Sequence, residues 1–115
     1  MNATFPKSAK LCGQIRIASL YKEGKRMTCF PIRVTYRPAT DTQVLIWAPK
    51  SLFKHAVDRN RLRRQMREAW RLNQHLLVGN WQIAFNYMDK QMLDYKTIAH
   101  GMLKAIQKIN KNSDA

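Results

Sequence analysis

Acidic residues are scarce in this sequence. Seven aspartates and glutamates stand against 21 lysines and arginines, so the 115 residues carry a formal net charge of +14. Self-repulsion on this scale costs stability, and we expect a polyanionic partner to relieve it. Nucleic acid is the first candidate, ahead of an anionic membrane surface or an acidic protein.

The few acidic side chains are also too scattered for a metal-dependent nuclease site. Such a site needs several carboxylates converging on ions about 4 Å apart, whereas Asp58 and Glu68 lie far apart on one predicted helix and point in different directions. The three histidines have no zinc-site spacing with either cysteine, and the sequence has no glycine-rich phosphate loop or nucleophile motif. We therefore predict no catalytic residue, no metal site and no cofactor bound by the protein.

Sequence features of disulfides, secretion and membrane insertion are missing as well. Cys12 and Cys29 form neither a CxxC pair nor a disulfide framework, which is typical of reduced thiols. No stretch approaches the ~20 apolar residues of a membrane span, and the N-terminus lacks the apolar run of a signal peptide. We expect a cytoplasmic protein with one domain over residues 1–115, including an extended arm at 1–10 and a frayed tail at 111–115.

The periodicity of the apolar residues predicts three helices and three strands. A first helix follows the arm and ends at Gly24, a basic helix has Asp58 as its candidate N-cap, and a last helix begins near Asp94. The predicted strands are residues 29–38, 43–49 and 81–87. These elements indicate an α+β domain with helices packed on an antiparallel-rich sheet.

Two further groups of side chains can be interpreted from the sequence. Five aromatic residues on apolar faces are expected in the core: Phe30, Trp47, Trp70, Trp81 and Phe85. The basic patch of Lys22, Lys25 and Arg26 is either a solvated turn or an additional contact to phosphates.

The segment AVDRNRLRRQMREAWR, from Ala56 to Arg71, concentrates six arginines on one predicted helix. At 100° per residue, its apolar positions fall within an arc of about 100° and most of the arginines spread around the opposite side. A solvated helix face normally mixes charge signs, but this one offers only Glu68, and arginine binds phosphate bidentately. A phosphate backbone is therefore the predicted partner. Asn60 either contacts a base edge or a 2′-hydroxyl, or helps to cap the helix.

This segment resembles the RNR signature of the bacterial ribonuclease P protein family, approximately A-V-x-R-N-R-x-[KR]-R-x-x-R-E. Every position is matched, by Ala56, Val57, Arg59, Asn60, Arg61, Arg63, Arg64, Arg67 and Glu68. The preceding APKSLFK is similar to the family's lead-in through Pro49, Lys50, Phe53 and Lys54. The spacing of Leu11, Leu20, Tyr21 and Gly24 is similar to that of the family's first helix. The resemblance thus extends from about Leu11 to the last helix.

The resemblance implies an αβββαβα fold. This is a two-layer α/β sandwich with a left-handed βαβ crossover, as in the second domain of ribosomal protein S5, and that handedness is rare. It also implies a protein subunit of ribonuclease P, the ribonucleoprotein endonuclease that removes the 5′ leader from precursor tRNA. In that family the RNA subunit carries the active site and its Mg²⁺. The expected partners are this RNA subunit and precursor tRNA, with neither DNA nor a membrane.

Two binding sites follow from the resemblance. The expected surface for the RNA subunit comprises Lys50, Lys54, Arg59, Asn60, Arg61, Arg63, Arg64, Arg67 and Arg71. The single-stranded leader is expected in a cleft between the first helix and the sheet, lined by Ile17, Tyr21, Arg33 and Thr35. The family often has aromatic residues where Ile17 and Thr35 stand, so this chain is expected to depend more on Tyr21 and on charge.

Two other functions would use the same basic helix. A plain RNA-binding module, such as a ribosomal protein, would have this composition without any role in cleavage. A DNA-binding regulator is the third hypothesis, although the sequence contains no helix-turn-helix and no dimerisation seam. Binding to RNA compared with duplex DNA of equal length separates the third hypothesis from the other two.

Overall fold

The computed structural model describes residues 13–113, so the predicted arm at 1–10 lies outside the described residues. Three helices and four strands follow one another in the order αβββαβα. Their bounds are α1 Gln14–Glu23, β1 Lys25–Cys29, β2 Ile32–Pro38, β3 Gln43–Trp47, α2 Ala56–Asn73, β4 Trp81–Tyr87 and α3 Tyr95–Ser113. A 3-10 turn, Gln74–Leu76, follows α2. The element order predicted from the resemblance is confirmed.

The four strands form one sheet in the order β1-β2-β4-β3. β1 pairs antiparallel with β2, β2 pairs antiparallel with β4, and β3 pairs parallel with β4. Because β3 and β4 are parallel neighbours, the chain between them must cross over the sheet, and α2 makes that crossover. β3 is the last strand in this order and is therefore an edge strand. Its last residue, Trp47, lies beside Asn86 of β4.

The observed elements differ from those predicted by apolar periodicity mainly in the first strand. Residues 25–29 form β1, for which the sequence predicted no strand before Cys29. The predicted strand at 29–38 contains only the last residue of β1, followed by a turn at Phe30 and Pro31 and then β2. β1 lacks the alternation of apolar and polar residues that predicts a strand, because it is a largely exposed edge strand with one buried residue, Cys29. Gly24 ends α1 as predicted, and a Cβ at this position would lie 2.6 Å from the Leu20 carbonyl oxygen.

The hydrophobic core lies between the sheet and the pair α2 and α3. β2 contributes alternate side chains to it, and the Trp70 ring of α2 packs 5.7 Å from that of Phe85 between ring centroids. Trp70, Trp81 and Phe85 are buried as predicted. The prediction is wrong for the other two aromatics, since Phe30 is 55% exposed in its turn and Trp47 is 45% exposed at the sheet edge.

Helix α1 lies on the opposite face of the sheet. Leu20 is fully buried there against Ala84 of β4, and Ile17, Tyr21 and Leu45 pack around this pair. α1 contacts β2 and β4 but covers only part of the face. The uncovered part leaves a cleft beside the helix.

The ends of the two long helices are only partly as predicted. Asp94 caps α3 by accepting hydrogen bonds from the Thr97 backbone N–H at 3.0 Å and the Thr97 hydroxyl at 2.5 Å, which confirms the prediction and lowers the pKa of Asp94. The prediction that Asp58 caps α2 is wrong, because the helix begins at Ala56 and Asp58 lies in its first turn. α3 continues to Ser113, into the predicted frayed tail, because Ile109 is anchored in the core.

Candidate nucleic-acid interface

Helix α2 is fixed on the core by the apolar face that the sequence predicted. Leu62, Met66 and Ala69 are fully buried and Trp70 is nearly so. The opposite side carries a row at helical spacing: Asn60, Arg64, Arg67 and Arg71. Residues three or four apart are separated by ~4.5–6 Å along the axis. The rigid docking therefore holds a regular row of polar and cationic side chains away from the core.

Three arginines of α2 project from the protein without an internal partner. Arg61, Arg64 and Arg67 are exposed, and none of them has an ion pair or hydrogen bond with another residue in the described range 13–113. Arg61 and Arg64, with Val57 and Asn60, line a shallow depression of about 390 Å³. We use the name arginine surface for Arg61, Arg64 and Arg67 on this side of α2.

Arg59 is used by the protein itself. Its guanidinium donates hydrogen bonds of 2.8 and 2.9 Å to the carbonyl oxygens of Phe53 and Lys54. These bonds fasten the start of α2 to the turn before it, in which the backbone N–H of Phe53 is 3.2 Å from the Pro49 carbonyl oxygen. Lys50 and Lys54 are exposed on this turn and extend the positive surface beyond the helix.

Arg71 is paired with the one acidic residue of the exposed side. Its guanidinium contacts both carboxylate oxygens of Glu68, at 2.5 Å from Nη2 and 3.1 Å from Nε. The hydrogen bonds lower the pKa of Glu68 and raise that of Arg71. Since both side chains are well exposed, this pair adds little stability. Its effect is to neutralise the charge of Arg71 next to the arginine surface.

Arg63 lies on the flank of α2 rather than on its outward side. Its guanidinium carbon is 5.6 Å from the centroid of the Trp47 ring, within the range of a cation–π contact, and one terminal nitrogen donates a hydrogen bond to the Asn60 side-chain oxygen. Its Nε is buried without a hydrogen-bond partner among the described residues. Asn60 thus holds Arg63, which neither of its two sequence interpretations included.

The cleft beside α1 has a volume of about 450 Å³. Its lining residues are Tyr21, Arg26, Arg33, Thr35, Pro49, Ser51, Leu52, Asn86, Tyr87 and Met88. Three of the four residues expected from the resemblance line it, namely Tyr21, Arg33 and Thr35. Ile17 does not, because it packs between α1 and the sheet beside Leu20.

Hydrogen bonds fix the walls of this cleft. The Asn86 amide donates to the Tyr21 hydroxyl at 2.8 Å, and the Arg26 guanidinium donates to the Tyr21 carbonyl oxygen, also at 2.8 Å. Thr35 is only 2% exposed and forms part of the floor. Arg33 and Arg26 are the exposed cations of the cleft. The site can therefore receive a narrow anionic ligand with a planar group beside Tyr21.

The sequence interpretation missed Asn86 and Ser51 and left Arg26 undecided. Asn86 could have been found, because Gln82 and Asn86 are polar residues at even spacing in an otherwise apolar strand, which places both on the face opposite the main core. Ser51 offered no such pattern, since it comes into the cleft through the turn after β3. Arg26 required knowledge that β1 exists.

The described part of the chain contains no group of three or more His, Cys, Asp or Glu side chains placed to hold a metal ion. Among its helices, none has the length and apolar character needed to cross a membrane.

The sequence model of the family described as Ribonuclease P matches residues 5–110. The ribonuclease P protein component of Porphyromonas gingivalis is 35% identical over 124 residues, covering 96% of this chain and 90% of the relative. That of Coprothermobacter proteolyticus is 34% identical over 77 residues, covering 67% of this chain and 64% of the relative.

Solved structures show the same fold at lower identity. The RNase P protein from Thermotoga maritima superposes with a TM-score of 0.77 and 21% identity, covering 87% of this chain and 96% of that one. The RNase P protein of Staphylococcus aureus gives a TM-score of 0.74 and 21% identity, with 91% and 97% coverage.

Proposed function

The chain belongs to the ribonuclease P protein family, and from this premise we propose which surface of the chain binds each RNA. The family acts in ribonuclease P, which removes the 5′ leader from precursor tRNA, and the RNA of that enzyme is the chain's partner. We assign the RNA subunit to α2 and the turn before it, and the leader of precursor tRNA to the cleft beside α1.

The observation that carries this proposal is the arginine surface of α2. Arg61, Arg64 and Arg67 have no ion pair in the described residues, while the apolar face of the helix fixes the backbone from which they project. A guanidinium binds a phosphate with two parallel hydrogen bonds, so a fixed row of them suits the repeating phosphates of RNA. Counterion release then makes the binding strongly dependent on salt.

The remaining residues of the proposed RNA-subunit surface flank the arginine surface. Lys50 and Lys54 add exposed charge beside the start of α2, and Arg59 holds that turn in place. Asn60 and Arg63 form a linked pair on the flank, and Arg71 completes the row next to Glu68. The proposed surface is thus a central set of free arginines with a rim of side chains that also stabilise the fold.

The cleft suits a single-stranded leader by its shape and its charge. Arg33 and Arg26 provide positive charge for a phosphate, and Tyr21 offers an aromatic ring next to an amide, Asn86, that can take part in hydrogen bonding. Ile17 is proposed to support α1 from below rather than to contact the leader. Thr35 is proposed to shape the floor of the cleft.

The chemical step is proposed to belong to the RNA subunit, with the Mg²⁺ that it requires, as the resemblance implies. The protein would neutralise phosphates of the folded RNA and hold the substrate. We propose that this reaction takes place in the cytoplasm. No group of the chain is assigned to bond breaking.

Reconstitution tests the proposal. A bacterial ribonuclease P RNA is mixed with precursor tRNA at low Mg²⁺, with and without the protein, and the 5′ ends of the products are mapped. Cleavage at the mature 5′ end should need the RNA and be strongly stimulated by the protein, and the protein alone should be inactive. No stimulation by a protein that binds the same RNA tightly would contradict the proposal.

A further inference from the structure

Trp47 is one of two well-exposed aromatic side chains among the described residues, and the other is Phe30. Trp47 is 45% exposed, whereas the other two tryptophans, Trp70 and Trp81, are 5% and 8% exposed. It is the last residue of the edge strand β3, and no further strand in the described range 13–113 pairs beyond it. Exposure of a large apolar ring to water is unfavourable, and burying the ring against a partner would lower the free energy.

Trp47 belongs to the same row of the sheet as the cleft. The strand register places Thr28 beside Arg33, Arg33 beside Asn86, and Asn86 beside Trp47, in one line across the four strands. Leu45, two residues earlier, packs under α1, and side chains two apart on a strand share a face. Trp47 therefore continues the polar row of Arg33 and Asn86 to the edge of the sheet.

A cation backs the ring at this edge. The Arg63 guanidinium of α2 lies over the Trp47 ring at 5.6 Å from its centroid and is held by the Asn60 side chain. Lys50, exposed on the turn after β3, is close in sequence. The surroundings of the ring are thus cationic and polar, which does not suit an apolar protein partner. They suit a ligand with a flat aromatic group and a negative charge, as in a nucleotide.

We propose that Trp47, backed by Arg63, is a stacking site for an unpaired RNA base at the edge of the sheet, between the arginine surface and the cleft. The site deepens the proposed function and rests on it. An RNA strand that crosses the row from Arg33 to Asn86 reaches Trp47 next, since neighbouring strands are ~4.8 Å apart. Stacking on an aromatic ring tolerates any base, so the site adds affinity without demanding a sequence.

Tryptophan fluorescence of the unmodified protein provides the first test. Because Trp70 and Trp81 are buried, the quenching of the solvent-accessible emission reports Trp47. The probes are a five-nucleotide single-stranded RNA, the same RNA without bases, and inorganic polyphosphate of equal charge. We expect quenching by the intact RNA and much less by the other two at saturation. Equal quenching by all three, or none by an RNA that binds, would overturn the proposal.

Substitution provides the second test, in the reconstituted enzyme. Trp47→Ala should weaken binding of an RNA by about 5- to 100-fold, and Trp47→Phe should restore most of the loss. Phe30→Ala is the matched control, because Phe30 is a similarly exposed aromatic residue in the turn between β1 and β2, and its removal should leave RNA binding unchanged. Circular dichroism shows that each variant is folded.

Three RNAs identify which one supplies the base: precursor tRNA, mature tRNA without a leader, and the RNA subunit alone. A loss confined to the precursor assigns the base to the leader, and a loss with the RNA subunit assigns it there; both support a stacking site. Unchanged binding of all three would overturn the stacking site while leaving the proposed function intact. Failure of the wild-type protein to bind any of them would contradict both.

Discussion

The arginine surface of α2 and the cleft beside α1 are built in opposite ways. The arginine surface comes from one helix, and Arg61, Arg64 and Arg67 are exposed and make no hydrogen bond or ion pair with another residue of the described chain. The cleft draws its lining from α1, β1, β2, β4 and the turn after β3, and hydrogen bonds link Arg26, Tyr21 and Asn86. One site is a local pattern, and the other depends on the whole fold.

This difference has consequences for how each site responds to change. Charges that act separately on phosphates contribute roughly additively, so the arginine surface should weaken in steps as arginines are removed. Side chains joined by hydrogen bonds are coupled, so one substitution in the cleft should disturb its neighbours.

The largest effect is expected from the arginine surface. Arg64→Ala combined with Arg67→Ala should weaken binding of the RNA subunit by about 10- to 50-fold near physiological salt, because two phosphate contacts are lost. The wild-type slope of log affinity against log salt should be about −4 to −5 for roughly six contacts, and it should become less negative by about 1.5 in the variant. Filter binding over a salt series measures both.

The matched control is Lys104→Ala combined with Lys108→Ala, which removes the same charge from the exposed side of α3. It should change the affinity much less. Equal losses in the two double variants would mean that only net charge matters, and the arginine surface would not be a defined site.

A smaller effect, confined to the substrate, is expected in the cleft. Arg33→Ala should weaken binding of precursor tRNA by about 5-fold and leave mature tRNA unchanged, since Arg33 is an exposed cation of the cleft. Affinities of the reconstituted enzyme for the two tRNAs measure the ratio. The same loss for both tRNAs would place Arg33 outside the leader site.

A gain of about 2-fold is expected at the acidic residue of α2. Glu68→Gln removes a negative charge beside the arginine surface and frees Arg71 from its ion pair, so the affinity for the RNA subunit should rise while the leader preference stays constant. Unchanged affinity would show that Arg71 contributes no free charge.

The pH dependence of this difference follows from the lowered pKa of Glu68, which the hydrogen bond from Arg71 causes. A carboxylate with a lowered pKa in the folded state stabilises above its unfolded pKa, and the stabilisation is lost as the pH falls through the folded pKa. The difference in affinity for the RNA subunit between the wild-type protein and Glu68→Gln should therefore persist from pH 7 to about pH 5. It should disappear only below the pH range in which carboxyl groups ordinarily titrate. Binding titrations across this range provide the measurement.

The smallest effect on RNA binding is expected at Arg59, where the cost should fall on stability. Arg59→Ala removes two hydrogen bonds to the carbonyl oxygens of Phe53 and Lys54 and should lower the free energy of unfolding by about 1–3 kcal/mol. Arg61→Ala, at an exposed neighbour without such bonds, should stay within about 0.5 kcal/mol of the wild type. Urea denaturation distinguishes the two, and equal stabilities would contradict the structural role of Arg59.

The contrast between the two sites also explains what the sequence could predict. The docking face of α2 was predictable because Leu62, Met66 and Ala69 repeat at helical spacing within one element. Apolar spacing also located β4, and the residue type of Asp94 at the start of an apolar helical pattern indicated the cap of α3. The charge pattern of α2 predicted a surface for a phosphate backbone, and the resemblance of the RNR segment supplied the element order, the RNA subunit as partner and the leader cleft.

The rest depends on tertiary contacts that no local pattern contains. Trp47 looked like a core residue because its strand is apolar, and only the strand order places it at an edge under Arg63. β1 carries mostly exposed side chains, so hydrophobic periodicity gave no reason to expect it. Arg59 and Arg63 could not be separated from the free arginines without knowing where the preceding turn and β3 lie.

A titration of the protein into a fixed amount of RNA subunit and precursor tRNA at low Mg²⁺ tests the central claim most directly. The cleavage rate is followed for the wild type, for Arg64→Ala with Arg67→Ala, and for Arg33→Ala. We predict that excess protein restores the wild-type rate for the helix variant, whose defect is assembly. With precursor tRNA below saturation, Arg33→Ala should cleave slowly at any protein concentration, because the variant binds the leader weakly. Rescue of both variants, or of neither, would contradict the division of the molecule into a surface for the RNA subunit and a cleft for the leader.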